Sequence, residues 1–375
     1  MTLQGERLDR PTYKVIQTIT EGSTAVCYRA FHDVFHRYVV QKTVSLLGLD
    51  DALAYSEPRL LKEIRHKHIV EVWEAQWDPD PALRDLKAVT FVMPFYEGGS
   101  ITGALLDGYR FSIGEAVGIA RGMLDALHHL HVERRLLHRD VKPGNVMLDD
   151  ARTHAHVGDL GSAARMNDSG EADVRSGTPL YRPPESHLGR YTRRGDIYGV
   201  GMTLLECLNG PHPYADLDLD DVDDRLAQGR PPVPARMLKP GPHVPPPLAR
   251  IVKRLIDPDP SRRPTAALDA QRLLEHVTHM DWRERADGDA RVWDGRWPPA
   301  ARPGQGRKYE VRAAPIKRGL YAGKLLLTAR WCSAGSSTWR QLKSLERRAL
   351  PNDAAALAAF FRDVEAAAAQ NVAAR

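Results

Sequence analysis

Apolar and polar residues alternate at strand period early in the chain and at helix period later. "YKVIQTI" (13–19), "AVCYRAFH" (25–32) and "RYVVQKTV" (37–44) are rich in Val, Ile, Thr and aromatics, with short polar breaks, and predict three strands. "PRLLKEIRH" (58–66) has apolar residues at helical spacing, and "IVEVWEAQW" (69–77) and "KAVTFVMPF" (87–95) predict two more strands. From about residue 100 the period changes. "SIGEAVGIARGMLDALHHLHVERR" (112–135), "DIYGVGMTLLECLNG" (196–210) and "PLARIVKRLIDPD" (247–259) read as helices, the last ending at prolines. Strands first and helices after predict an α+β chain with two lobes joined near residues 94–98. Pro and Gly gather at 296–306 and read as a linker or an irregular wrap. Beyond it, "KYEVRAAPI" and "GLYAGKLLLTARWCS" are strand-like, and "NDAAALAAFFRDVEAAAAQNVAAR" predicts a helix capped by Asn or Asp. The expected divisions are 1–96, 97–280, a linker over 281–308 that includes Trp282, Trp293 and Trp297, and a β/α module over 309–375.

Composition narrows the picture. The 375 residues leave room for two or three domains. No apolar run approaches the ~18 residues that a spanning helix needs, and "MTLQGERLDR" is too polar for a secretory signal. A cytoplasmic protein without a membrane partner is expected. Cys27, Cys207 and Cys332 lie too far apart for a metal spacing or a disulfide framework, and Cys207 reads as core. The net charge of +5 is uneven: residues 281–375 carry 18 Lys and Arg against 10 Asp and Glu. Within 300–348 the balance is 12 to 2.

Three short stretches carry the chemistry: "HRDVKPGNVML" (138–148), "VGDLG" (157–161) and "GTPLYRPPE" (177–185). With these motifs at this spacing, residues 13–275 resemble a eukaryotic-type (Hanks-type) serine/threonine protein kinase, most closely its bacterial branch. The resemblance implies a bilobal kinase fold with a small β-rich N-lobe and a helical C-lobe, here followed by the C-terminal β/α module. It also implies transfer of the γ-phosphate of ATP, with Mg²⁺ or Mn²⁺, to protein hydroxyls. Such transfer needs positioning and charge neutralisation more than covalent chemistry. Asp140 would orient the acceptor hydroxyl, Lys142 would reach the γ-phosphate, and Asn145 and Asp159 would hold metal. Leu160 stands where the family usually has Phe.

The same resemblance reads the first lobe. "VVQK" makes Lys42 the phosphate lysine, and its glutamate partner would be Glu57, nine residues before His66 of "HKHIV", with Glu63 the rival on the same helix. Pro58 directly after Glu57 departs from the family, because proline disfavours helix in the residue before it. Met93 would be the gatekeeper, and Pro94 and Tyr96 would offer backbone groups to adenine. Val26 and Val40 would pack on its face. The loop "ITEGSTAVCYRA" keeps one of three glycines, with Thr20, Gly22 and Ala25 at those places. Thr20 and Ala25 are small, so a working variant is expected.

Control and the tail complete the expectations. Thr178 would contact Asp140 and Lys142. Glu185 would pair with Arg263, and Asp196 would bind catalytic-loop backbone. Arg139 before Asp140 points to an activation loop organised by phosphate, with Ser162, Ser169 and Ser176 as candidate sites. Asp168, Glu171 and Asp173 either stand in for phosphate or form a solvated loop. The basic residues 300–348 are expected to be a solvated face on a partner-docking or kinase-packing module or, as the rival, a nucleic-acid surface in which Trp331, Trp339 and Tyr321 stack on bases. The alternatives to an active kinase are a pseudokinase scaffold and a binding protein acting through this tail. Protein substrates are not named by the sequence.

Overall fold

The computed structural model describes residues 12–19, 25–45, 62–77, 88–174, 177–298 and 305–373. The chain divides into two compact units, one of residues up to Glu97 with Gly158–Gly161, the other of Gly98–Val157 with Ser162 onward.

The first unit is built on five antiparallel strands: β1 (Tyr13–Ile19), β2 (Ala25–His32), β3 (Arg37–Ser45), β4 (Glu74–Trp77) and β5 (Ala88–Pro94). Their order is β1-β2-β3-β5-β4. Because successive side chains point to opposite faces, each face has its own cluster. Ala30, Val39 and Val92 pack with Tyr13 and Trp73. Val72, Val89 and Phe91 pack with Val44 and Met93. The strand expected over 69–77 is confined to its last four residues. Of the helix expected over 58–66, residues 58–61 lie outside the described residues; Lys62 and Glu63 are helical and residues 64–66 are not.

The second unit opens with α1 (Ile101–Leu106) and α2 (Ile113–Val132). Ser112 starts α2 with a reciprocal cap: its hydroxyl accepts the Glu115 N–H, and the Glu115 carboxylate accepts the Ser112 N–H. Short pairings follow: β6 (Leu136–Leu137) with β9 (Ala164–Arg165), β7 (Val146–Leu148) with β8 (Ala155–Val157), and β10 (Glu171–Asp173) with β11 (Arg190–Thr192). Then come α3 (Arg193–Asn209), α4 (Leu219–Ala227), α5 (Pro246–Leu255) and α6 (Ala267–Glu275). Helix α3 is buried almost all round, Cys207 included. A Cβ added at its Gly199 would come within 2.6 Å of the Val141 carbonyl oxygen, so glycine lets the loop after β6 lie directly on the helix.

The same unit contains a six-stranded antiparallel sheet of β12 (Arg283–Asp287), β13 (Ala290–Trp297), β14 (Arg307–Pro315), β15 (Leu325–Ser333), β16 (Arg340–Gln341) and β17 (Arg347–Ala349). Helix α7 (Ala354–Ala373) follows, with the Asp353 carboxylate accepting the Ala356 N–H. Residues 281–308, expected as a linker, contain β12 and β13, so Trp282, Trp293 and Trp297 lie in or beside the sheet. Trp282 and Trp293 are fully buried, and each meets the Phe361 ring edge-on at 5.2 Å. His243, which comes before α5, lies 6.2 Å from both Trp293 and Phe361, and burial pulls its imidazole down to about 4. The sheet is also tied to the start of α2. Gly114 N–H donates to Asp281 Oδ1 at 2.7 Å and Ile113 N–H to the Trp282 carbonyl at 3.0 Å, which satisfies two of the helix's orphan donors. Arg283 bonds both Glu115 and Tyr109.

Candidate active site

The loop after β6 is held from beneath by one buried carboxylate. Asp196, in the first turn of α3, is fully buried. Its Oδ2 accepts the His138 N–H at 2.9 Å and stands 2.7 Å from His131 Nε2, and its Oδ1 accepts the Arg139 N–H at 2.8 Å. Burial alone would raise this carboxyl; the His131 bond and charge, the His138 charge and the backbone bond outweigh it and hold the group below the usual range. Two adjacent N–H groups on one carboxylate pin the left-handed backbone of Arg139, whose φ is 67°. Such a conformation costs a non-glycine residue on the order of 1–3 kcal/mol and persists where neighbours over-determine it.

Asp140 follows directly. Its Oδ1 accepts the Thr178 N–H at 2.8 Å, and its Oδ2 is 3.0 Å from Asn145 Nδ2 and 2.9 Å from Lys142 Nζ. Lys142 Nζ also donates to Thr178 Oγ1 at 2.6 Å, and Asn145 Nδ2 to the Asp140 carbonyl at 2.8 Å. Burial pushes the Asp140 carboxyl up, but the Lys142 bond and charge and the Thr178 bonds more than offset this, so it stays ionised below its usual value. Gly177, with φ 111°, brings Thr178 to this loop; a Cβ there would sit 2.7 Å from the Arg139 carbonyl oxygen. The structure thus gathers Asp140, Lys142, Asn145 and Thr178 into one hydrogen-bonded set.

Arg139 donates Nε to the Ser162 carbonyl at 2.5 Å and Nη1 to the Asp173 carbonyl at 2.6 Å. The loop acids were expected either to stand in for phosphate or to form a solvated loop. Instead Asp168 faces Arg135 at 3.8 Å and Glu171 faces Arg190 at 3.6 Å, while backbone carbonyls serve Arg139. The β10–β11 pairing brings Asp173 to that position. Ser169 is exposed in the turn before β10, and Ser162 contributes its carbonyl; Ser176 lies outside the described residues.

Arg263 fixes the segment after Thr178. Its Nη1 and Nη2 donate to the two carboxylate oxygens of Glu185 at 2.7 and 2.8 Å, and its Nε donates to the Asp257 carbonyl at 2.7 Å. The arginine side chain is wholly buried. Removing one partner strands the other charge, at a cost of about 3–5 kcal/mol. Arg263→Met is therefore expected to lower the melting temperature by about 10 °C, read by a thermal scan, whereas loss of a solvated pair would shift it by less than about 2 °C.

In the first unit, Lys42 stands opposite Cys27 on β2 and Phe91 on β5. Its Nζ meets Asp159 Oδ1 at 2.6 Å. Asp159 has φ 56° and a side chain 41% exposed. Val40 and Met93 share the sheet face of Lys42. Val26, expected on that face, does not: it is opposite Thr43, so strand alternation turns it to the other face, 49% exposed, and puts Cys27 beside Lys42. Pro94 ends β5, and burial pushes the Tyr96 phenol up to about 12. Glu63 is exposed. Thr20, Gly22, Glu57 and the side chain of Ala25 lie outside the described residues.

Sequence reasoning missed several residues. His131 has no local signal; only the tertiary fold carries it to Asp196. Buried Glu206 accepts the hydroxyls of Tyr181 at 2.6 Å and Tyr214 at 2.5 Å, which ties the "TPLY" segment to α3. Gly177 and His138 were visible in the motifs without a stated role.

A protein kinase domain family model matches residues 13–280. The chain belongs to the protein kinase family. It is 30% identical over 262 residues to the human serine/threonine-protein kinase ULK3, covering 66% of this chain and 51% of that protein. It is 29% identical over 254 residues to the rice probable serine/threonine-protein kinase WNK5, covering 66% and 74%. With mitogen-activated protein kinase kinase 2 of Arabidopsis thaliana it shares 24% over 281 residues, covering 72% and 73%. The chain spans about half the length of the ULK3 proteins it matches. Among the described residues no helix is long and apolar enough to cross a membrane.

Proposed function

We propose that this kinase transfers the γ-phosphate of ATP to serine or threonine hydroxyls of proteins. The observation that carries the reading is the Asp140 set. One ionised carboxylate is held on its two oxygens by Thr178, Asn145 and Lys142, and Lys142 is aimed by its bond to Thr178 Oγ1. A carboxylate so fixed can orient an acceptor hydroxyl and take its proton, with the lysine as a point charge for the transferred group. The serine/threonine character is also in the names of the ULK3 and WNK5 relatives above.

The remaining residues fit a nucleotide with Mg²⁺. Asp159 presents an exposed carboxylate, and Asn145 gives its nitrogen to Asp140, which leaves its carbonyl oxygen for a hard cation. Among the described residues no group of three His, Cys, Asp or Glu could hold a metal ion. When bound, the metal neutralises charge on the phosphates. Lys42 would hold the phosphates, and the backbone of Pro94 and Tyr96 would hold adenine. Autophosphorylation, a signalling role, a cytoplasmic location and a place in the bacterial branch belong to this proposal. The branch rests on motif wording, and the relatives named above are eukaryotic.

Arg139 already has two backbone carbonyls. Phosphatase-treated protein is therefore expected to keep most of its activity when labelled ATP, Mg²⁺ and a generic serine/threonine substrate are supplied. An enzyme silent until Ser169 or Ser176 is phosphorylated would restore control by loop phosphate. Absence of transfer from treated and untreated protein alike, with nucleotide still bound, would favour the scaffold reading.

A further inference from the structure

Two patches of opposite charge in the second unit are largely without counter-charges among the described residues. The first is the loop joining β14 to β15. It is ordered by its own backbone: Ile316 N–H donates to the Lys324 carbonyl at 2.8 Å, Gly323 N–H to the Ile316 carbonyl at 2.9 Å, and Ala322 N–H to the Gly319 carbonyl at 3.0 Å. This rigid turn holds Leu320 90% exposed. Beside it, the Arg348 guanidinium lies 4.2 Å and the Lys324 ammonium 5.6 Å from the centre of the Tyr321 ring. Lys317 is paired with Asp289, but among the described residues no acid stands against Arg318, Lys324 or Arg348.

The second patch is α4 and the turn before it. Asp216, Asp218, Asp220, Asp221, Asp223 and Asp224 are all exposed. No Lys or Arg occurs in residues 195–224. Arg225 does not neutralise them, since it donates Nε to the Pro231 carbonyl at 2.9 Å and Nη2 to the Val233 carbonyl at 3.0 Å. Helix stability does not account for the pattern. Asp220 and Asp221 suit the start of a helix, but Asp223 and Asp224 oppose the macrodipole near its end, and Asp220 and Asp224 repel across one turn. Leu219, 64% exposed, stands among these acids.

We propose that the β14–β15 loop of one copy docks on α4 of a second copy. The charges are complementary, Arg318, Lys324, Arg348 and the acids of α4 are without ion-pair partners among the described residues, and each patch offers one exposed leucine. The loop is already ordered, so little conformational entropy is lost on docking. The contact is heterologous: every copy that uses its loop still has a free helix, so association continues past the dimer. A helix and a turn bury little surface, so the contact is weak, concentration-dependent and salt-sensitive. The proposal is independent of the catalytic reading.

Sedimentation velocity on the full chain tests it. At about 50 mM salt the weight-average mass is expected to rise with concentration, and at about 0.5 M salt to fall to the monomer. R318E/R348E and D220K/D223K/D224K are each expected to be monomeric at low salt, with melting curves like the parent because the changed side chains are exposed. Mixed one to one, the two variants are expected to associate again, because each supplies the charge that the other has reversed. A monomeric parent at about 100 μM and low salt would overturn the proposal, as would variants that associate like the parent or a mixture that stays monomeric. A monomeric parent that shifts a single-stranded oligonucleotide, with the shift lost in R318E/R348E, would give the loop to nucleic acid instead.

Discussion

Asp140→Asn is expected to lower phosphoryl transfer by about 10²–10⁴-fold, the usual contribution of a positioned acid–base group, while nucleotide affinity stays near the parent value. Asparagine has the shape of aspartate and can still accept the Thr178 N–H, which is now at 2.8 Å. It cannot take a proton, and it removes the charge that holds Lys142 Nζ at 2.9 Å. The lysine keeps its bond to Thr178 Oγ1, so the loop is expected to fold. Binding of nucleotide is assigned to Lys42 and Asp159, which this change leaves alone. Labelled-ATP transfer and a separate titration with a fluorescent nucleotide distinguish the two effects. Lys42→Met is the complementary variant, with affinity falling. An Asp140→Asn protein that transfers phosphate at the parent rate would end the assignment.

Removal of residues 300–375 is expected to unfold or aggregate the second unit, although it deletes no kinase motif. The cut leaves β12 and β13 without β14 and α7. Trp282 and Trp293, fully buried in the whole chain, then lose Phe361. Trp282 also loses the Glu365 carboxylate that accepts its Nε1–H at 3.0 Å. Losing the packing of a large buried aromatic costs about 3–5 kcal/mol, and two such losses are comparable with the whole stability of an ordinary domain, about 5–15 kcal/mol. The damage extends to α2, whose first N–H groups depend on Asp281 and Trp282. A truncated protein that is soluble and melts within about 3 °C of the parent would show a detachable module. Trp293→Ala in the full chain gives a milder check of the same packing.

The basic segment illustrates how charge read along a sequence differs from charge in a fold. Glu310 takes both Arg285 and Arg330, and Arg347 meets Asp363 at 2.5 Å. Arg307 and Arg340 lie over the Trp331 ring at 4.5 and 5.3 Å, and Arg330 over Trp339 at 4.6 Å. Rings already covered by guanidinium groups are less open to base stacking than the sequence implied. Among the described residues Arg312, Lys317, Arg330 and Arg347 of this segment each meet an acid, whereas Arg318, Lys324 and Arg348 at the β14–β15 loop do not.

The motifs were legible because phosphoryl transfer requires particular side chains at short spacing. Asp140, Lys142 and Asn145 were named from the resemblance of "HRDVKPGN" to the kinase motif, and the structure brings the three together around the Asp140 carboxylate. The main helices were legible from their period. Other features depended on long-range packing. Whether Val26 or Cys27 shares a face with Lys42 is set by strand register, which one residue of shift reverses. Pro and Gly near residue 300 look the same in a linker and between two strands; only the burial of Trp282 and Trp293 against α7 shows that β12 and β13 belong to the core. Acids near an arginine in sequence suggest charge pairing, but the β10–β11 pairing delivers a carbonyl to Arg139 instead. His131 reaches Asp196 across 65 residues. By itself the sequence named the candidate catalytic set, because those residues lie close together in the chain; tertiary structure decided faces, partners and the extent of the core, because those depend on which distant residues the fold brings together.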